Sequence, residues 1–244
     1  MGKWKKWLSA GLFTAMLGTA IIAGPTADVS ANAGNKPYNI ENVSPDAQLA
    51  PSVGDSSSKT SSKAWHKIDG VCYNGSGKKV EGAITRGMDV SEWQGKINWK
   101  EAKKDLDFAF VRISYGTRHL DDYYDYNMTE AEAADVPVGT YVYSLAKTNK
   151  EALAEAQLAI RQMQGHKVSY PVAFDLEDEA TLGTLTRKEI SQIALTFCDE
   201  IRKAGYTPIL YMNLNWYNNF VDWNVLEGSG LDVWIASYGD TIFA

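Results

Sequence analysis

The stretch Val168-Ser-Tyr-Pro-Val-Ala-Phe-Asp-Leu-Glu177 decides the fold. Its centre, Val172 to Phe174, is apolar enough for a buried strand, yet the run terminates in carboxylates. Residues two apart on a strand point to the same side, with side chains about 6.5 to 7 Å apart along it. Asp175 and Glu177 therefore share one face at the strand's carboxyl end. Adjacent carboxylates in a partly dry cleft repel, so one keeps its proton near neutral pH and can act as an acid.

This run is expected to be a strand over Val168–Leu176, and outward from it further apolar strands are expected at Ile84–Val90, Phe108–Ser114, Val138–Ser144, Thr207–Met212 and Asp232–Ser237, with helical stretches between most of them. Residues 151–164 place Leu153 and Ile160 on one helical face, and Thr186 with Glu189 forms a capping box opening a helix over 190–204, which Gly205 ends. Strands alternating with helices indicate an α/β protein with a parallel sheet, and six strands favour a β/α barrel over a short open sheet. In such barrels chemistry sits at the carboxyl ends of the strands, where the acids fall.

The N-terminal part reads differently. Lys3, Lys5 and Lys6 precede an apolar run from Leu8 to Ile22, and Ala31-Asn-Ala33 is a small-x-small cleavage site, so residues 1–33 are expected to be an export signal. The run is shorter than the roughly 18 to 20 residues of a membrane span, so no span is expected after cleavage. Residues 34–63, rich in Ser, Asn, Pro and Gly, are a flexible spacer, and residues 64–83, with a turn signal at Asn74-Gly-Ser-Gly77, are a small hairpin-like lead-in. The main domain is placed at 84–244. Net charge is −6, and because the first 33 residues carry +2, the remainder carries −8. Phosphate contacts need clustered Lys and Arg, so nucleic acid is excluded as a partner. Cys72 and Cys198 are candidates for a disulfide in an exported chain, two buried free thiols being the alternative.

A second acid strengthens the reading of Asp175 and Glu177. Asp89 ends the first expected strand and enters the same mouth. The competing view is that these acids merely mark strand ends, since Asp178 and Glu179 follow and look solvated. Glycosidic cleavage needs a proton donor for the leaving oxygen and a second carboxylate to stabilise positive charge at the sugar carbon. Tyr141, Tyr211, Trp234 and Tyr238 lie at or near strand ends, where aromatic faces suit sugar rings, although core packing claims some of them. Arg112 interrupts an apolar strand and must be paired there, by substrate or by an acidic neighbour. His66, His119 and His166 form no pair at ligand spacing, so no metal site is assigned.

Arg86-Gly-Met-Asp-Val-Ser-Glu-Trp-Gln-Gly95, Phe110-Val-Arg-Ile-Ser-Tyr-Gly116, Pro137-Val-Gly-Thr-Tyr141, the Asp175-Leu-Glu177 strand end and Trp234-Ile-Ala-Ser-Tyr238 resemble, in order and spacing, glycoside hydrolase family 25. The resemblance implies an irregular TIM-like β/α barrel, without a cofactor, that acts on bacterial peptidoglycan as a secreted lysozyme, cleaving the β-1,4 bond between N-acetylmuramic acid and N-acetylglucosamine. By position, Glu177 would be the general acid/base, Asp175 would orient the substrate's N-acetyl group, and Asp89 would complete the acidic floor. Arg112, Tyr141, Tyr211, Trp234 and Tyr238 would line the substrate groove. The family's domain continues past the last of these motifs, so the resemblance also implies a barrel short of its final strand or strands. A wall-binding protein without turnover is the alternative expectation.

Overall fold

The computed structural model describes residues 6–10, 18–23, 66–74 and 77–237. The expected cleavage site at Ala31–Ala33, the spacer expected over 34–63 and Tyr238 lie outside the described residues. Short strands β1 (Lys6–Ala10) and β2 (Gly18–Ala23) precede a hairpin of β3 (His66–Ile68) and β4 (Val71–Tyr73). The main unit then runs β5 (Ala83–Val90), α1 (Trp99–Ala102), β6 (Phe108–Tyr115), β7 (His119–Leu120), α2 (Tyr124–Ala133), β8 (Val138–Tyr143), α3 (Asn149–Met163), β9 (Val168–Asp175), α4 (Glu179–Leu182), α5 (Arg187–Lys203), β10 (Pro208–Asn213), α6 (Leu214–Asn219), α7 (Trp223–Leu226) and β11 (Asp232–Ser237).

Six strands, β5, β6, β8, β9, β10 and β11, pair in parallel in the order they occur along the chain. The order never reverses, which separates this sheet from a doubly wound one and gives it the winding of a barrel wall. At its edges β2 runs antiparallel to β5 and β1 parallel to β11, and β7 folds back on β6. All six strands expected from the sequence are present, with ends displaced by at most one residue.

The sheet curls. Phe110 on β6 and Trp234 on β11 are separated by β8, β9 and β10, which in a flat sheet would put them about 19 Å apart. Their ring centroids are 4.7 Å apart. The two-residue period of the strands makes this possible. On the concave side Phe108, Phe110, Ala173, Ile209 and Trp234 form a small inner cluster. On the convex side Ala109, Val111, Ile113, Val172, Phe174, Leu210, Val233 and Ile235 join a larger core with the helices.

Gly87 and Gly139 admit the two inner phenylalanines. A Cβ on Gly87 would stand 2.1 Å from the Phe108 ring, and one on Gly139 would stand 2.6 Å from the Phe110 ring and from the Pro171 carbonyl oxygen. Side chains thus fill the bottom of the bowl, as barrel interiors require.

Helix α5 shows why the helices hold. Thr186 Oγ1 accepts from the Glu189 amide, and the Glu189 carboxylate accepts from the Thr186 amide at 2.8 Å, completing the expected capping box. Its buried face, including Ile190, Ile193, Phe197 and Ile201, packs on the sheet, with Phe197 stacked on Phe174 at 4.1 Å. Each such side chain contributes about 1.5–3 kcal/mol through burial.

In the hairpin the turn between β3 and β4 is Asp69-Gly70, with φ of 49° and 80°. Both residues adopt the positive φ of a two-residue turn suited to strand twist. The turn at Asn74 lies beyond this hairpin, where the Gly77 amide donates to the Asn74 carbonyl at 2.9 Å. Lys67 fastens the hairpin to the main unit through an ion pair with Asp107 at 2.7 Å.

Cys72 and Cys198 do not pair. Both thiols are free and buried, Cys72 on β4 with Sγ 3.8 Å from the Thr85 carbonyl oxygen, and Cys198 on α5 inside the helix–sheet core. They occupy separate packing environments, which corrects the disulfide expectation.

Candidate active site

The concave face opens at the carboxyl ends of the strands, where three acids converge. Asp89 projects inward from the end of β5, in register with Phe110 on β6. Asp175 ends β9, in register with Tyr143 on β8 and Tyr211 on β10. Glu177 follows one step beyond and interacts with Asp89. The alternation that puts Val172, Phe174 and Leu176 into the outer core delivers Ala173 and Asp175 to the bowl.

Burial raises the proton affinity of all three, and neighbouring negative charge adds to it for Asp175 and Glu177. Asp89 is pushed up to about 6 by burial. Glu177 is pushed up to about 7 by burial, with the charges of Asp89 and Asp178 adding to it. Asp175, buried at the strand end, is held well above the usual carboxylate range by desolvation, then by Glu177 and Asp89, with Arg112 opposing. Its Oδ1 has no hydrogen-bond partner among the described residues. Such a group binds a proton near neutral pH and releases it on demand.

Arg112 is the buried cation of this floor. Its Nε donates to Asp121 Oδ2 at 2.9 Å, and its Nη2 lies 2.9 Å from Glu92 Oε1. Asp121 also accepts from the Glu92 amide at 2.8 Å, and His119 Nε2 lies 2.7 Å from Glu92 Oε2. Burial of Glu92 is outweighed by its His119 hydrogen bond and the Arg112 charge, which hold its carboxyl below the ordinary value. The acidic neighbours of Arg112 are thus Asp121 and Glu92, which sequence reading did not single out, although Glu92 sits inside the motif that follows Asp89.

Tyr141 lies on the inner face, half-buried, its phenol held un-ionised by burial and by the charge of Asp89. Tyr211 is half-buried beside Asp175, its ring edge-on to Trp234 at 4.7 Å. Trp234 is only 4% exposed within the inner cluster, with Nε1 unpartnered among the described residues.

Asp178 is not simply solvated. It caps α4 by accepting from the Thr181 amide at 2.8 Å, and its Oδ2 accepts from the hydroxyls of Tyr115 at 3.1 Å and Tyr143 at 3.3 Å. The two tyrosine rings stack at 4.7 Å, forming a flat wall beside Glu177. Its signal in the sequence is the position of Asp178 directly after Glu177. Trp93, 72% exposed on the short turn Glu92–Gln94 after β5, projects from the same rim. Among the described residues no group of His, Cys, Asp or Glu is placed to hold a metal ion.

Residues 88–242 match the family described as glycosyl hydrolases family 25. The chain is 26% identical over 164 residues to Lysozyme M1 of Streptomyces globisporus, covering 63% of this chain and 55% of that protein. It spans about half the length of the curated relatives it matches. Among solved structures it is similar to a family 25 glycosyl hydrolase from Bacillus anthracis, at TM-score 0.53 and 24% identity, with 62% of this chain and 69% of that one covered. It is also similar to the modular autolysin LytC from Streptococcus pneumoniae, solved with a synthetic peptidoglycan ligand, at TM-score 0.53 and 19% identity, covering 72% and 50% of the two chains. At these identities the structural matches establish the shared fold.

Proposed function

The chain belongs to glycosyl hydrolases family 25, and from that premise we propose that it is a secreted lysozyme hydrolysing the β-1,4 bond between N-acetylmuramic acid and N-acetylglucosamine in peptidoglycan. One observation carries the reading: three inward carboxyl groups share a partly dry bowl, and one of them, Glu177, is poised to hold a proton up to about pH 7. The curled sheet is read as the wall of an irregular β/α barrel.

In this reading Glu177 gives its proton to the glycosidic oxygen as the bond to the sugar carbon breaks. The carbonyl oxygen of the substrate's own N-acetyl group attacks that carbon from the opposite face, forming a cyclic intermediate. Asp175 orients the acetamido group by hydrogen bonding. Asp89 keeps negative charge on the floor of the bowl. Water then opens the intermediate, giving its proton to Glu177, and configuration at the sugar carbon is retained. Arg112 holds the floor in place through Asp121 and Glu92, and the tyrosine wall with Tyr141 and Tyr211 contacts sugar rings.

Export is supported by the lysines at 3, 5 and 6, the apolar run and the Ala-Asn-Ala site, and cleavage there would take β1 and β2 off the edges of the sheet. Clearing of purified bacterial walls with release of reducing ends tests the proposal, with Glu177→Gln as control. Equal clearing by the control would remove Glu177 from its role.

A further inference from the structure

We propose that Glu155, on the helix α3 behind the sheet, is a positioning residue for the active site: it sets the exit of β8, and through that exit both the Asp175 end of β9 and the tyrosine wall. The inference rests on the hydrolase reading above.

Glu155 is 2% exposed, on a helix face otherwise occupied by Ala152, Ala156, Ala159 and Met163. A carboxyl group in such a place costs several kcal/mol unless its oxygens are engaged. Both are. Oε2 accepts from the Ser144 hydroxyl at 2.8 Å and Oε1 from the Leu145 amide at 3.0 Å. The Ser144 oxygen accepts in turn from the Ala146 amide at 3.2 Å. One side chain therefore organises three consecutive residues immediately after β8.

Those residues are joined to both neighbouring strand ends. The Ser144 amide donates to the carbonyl oxygen of Asp175 at 3.0 Å, and the Gly116 amide donates to the carbonyl oxygen of Tyr143 at 2.8 Å. Gly116, at φ 60°, lies against the Leu145 side chain, where a Cβ would come within 3.1 Å of Cδ1. Tyr115 and Tyr143, whose hydroxyls meet on Asp178, thus flank the segment that Glu155 holds. A shift of that segment moves the Asp175 carboxyl and the wall beside Glu177 together. Displacements of about 1 Å cost on the order of 100-fold in rate.

The chemistry of the pair selects the variants. Burial pushes Glu155 up to about 7 against its two hydrogen bonds, with Glu151 on the same helix adding repulsion. Glutamine, which keeps an acceptor for the Leu145 amide, is therefore a close replacement. Methionine keeps length and helix propensity but accepts from neither donor.

The test uses the full chain, steady-state hydrolysis of soluble peptidoglycan fragments, and carboxyl carbon NMR titration of Glu177. Glu155→Met is expected to lower kcat by about 10- to 100-fold with KM changed less than about threefold, and to move the Glu177 midpoint down as water enters the loosened wall. Glu155→Gln restores both. If Glu155→Met does not fold, Ser144→Ala carries the same signature at smaller amplitude. Unchanged kcat and Glu177 midpoint in the variant that folds, whatever its melting temperature, would overturn the proposal, as would Gln performing no better than Met. If the unsubstituted protein releases no reducing ends, the hydrolase reading falls, and the Glu177 midpoint alone decides the role of Glu155.

Discussion

Asp89 raises the proton affinity of Glu177 although β6 and β8 stand between their strands in the sheet. Curvature brings the two carboxyl groups into one electrostatic unit, so the protons of the acid set are lost in steps that belong to the group as a whole. Activity is expected to fall as pH rises through about 7, where Glu177 loses the proton it must donate, and to fall below about 6, where Asp89 loses its charge. In Asp89→Asn the acid limb disappears and the alkaline limb moves to lower pH, because a negative neighbour is gone. Rates on soluble fragments from pH 4 to 9 check this, and an alkaline limb left in place would separate the two residues.

The same shift makes Glu177 a source of instability at alkaline pH. Its folded-state proton affinity lies above its ordinary value of 4.5, so the folded protein keeps a proton that the unfolded chain has released. The contribution is fully present below the ordinary value and is lost as pH rises through about 7. Glu177→Gln should therefore stabilise the fold by on the order of 2–3 kcal/mol at pH 8 and by little at pH 4, while lowering turnover about 10²- to 10⁴-fold. Thermal melts at the two pH values read the first effect, and an equal gain at both would assign it to packing instead.

Arg112 gives the opposite sign. Its Nε donates to Asp121 and its Nη2 lies at ion-pair distance from Glu92, an arrangement over two carboxylates that a lysine ammonium cannot reproduce. Arg112→Ala leaves both carboxylates beside a dry floor, with an expected loss of about 3–5 kcal/mol. Arg112→Lys should recover only part of it in urea denaturation, and full recovery would show that charge alone suffices.

The six parallel strands were legible because each is an apolar run between helix signals, and the acids because they interrupt such runs at one end. That Asp89, Asp175 and Glu177 lie at the same, carboxyl, end of the sheet could be read from the parallel strand order. The curl could not, since it depends on Phe108 and Phe110 lying over Gly87 and Gly139, residues far apart in the chain. Glu155 was hidden for a related reason: a glutamate at its helical position reads as solvated until Ser144 and Leu145 are seen to turn toward it. Asp178 was read as solvated because its partners, Tyr115 and Tyr143, come from two other strands. The hairpin turn at Asp69-Gly70 carried a plain local signal, passed over beside the glycine-rich segment that follows.

Gly87→Ala tests the floor. The new Cβ would meet the Phe108 ring at 2.1 Å, far inside contact distance, on a strand where ring and backbone are both confined. The expected cost is about 1–3 kcal/mol or more, measured by urea unfolding. Adding Phe108→Leu should return part of that loss. Strict additivity of the two changes would mean that the ring finds room elsewhere.

Gly87 and Phe108 consequently behave as a single heritable character written at two places in the gene. A lineage can enlarge one only by trimming the other, and most single steps pass through a weakened intermediate. Variation in this protein should then concentrate on the rim, around Trp93 and the residues after each strand, where a change in shape alters what is grasped without disturbing the ground on which the acids stand.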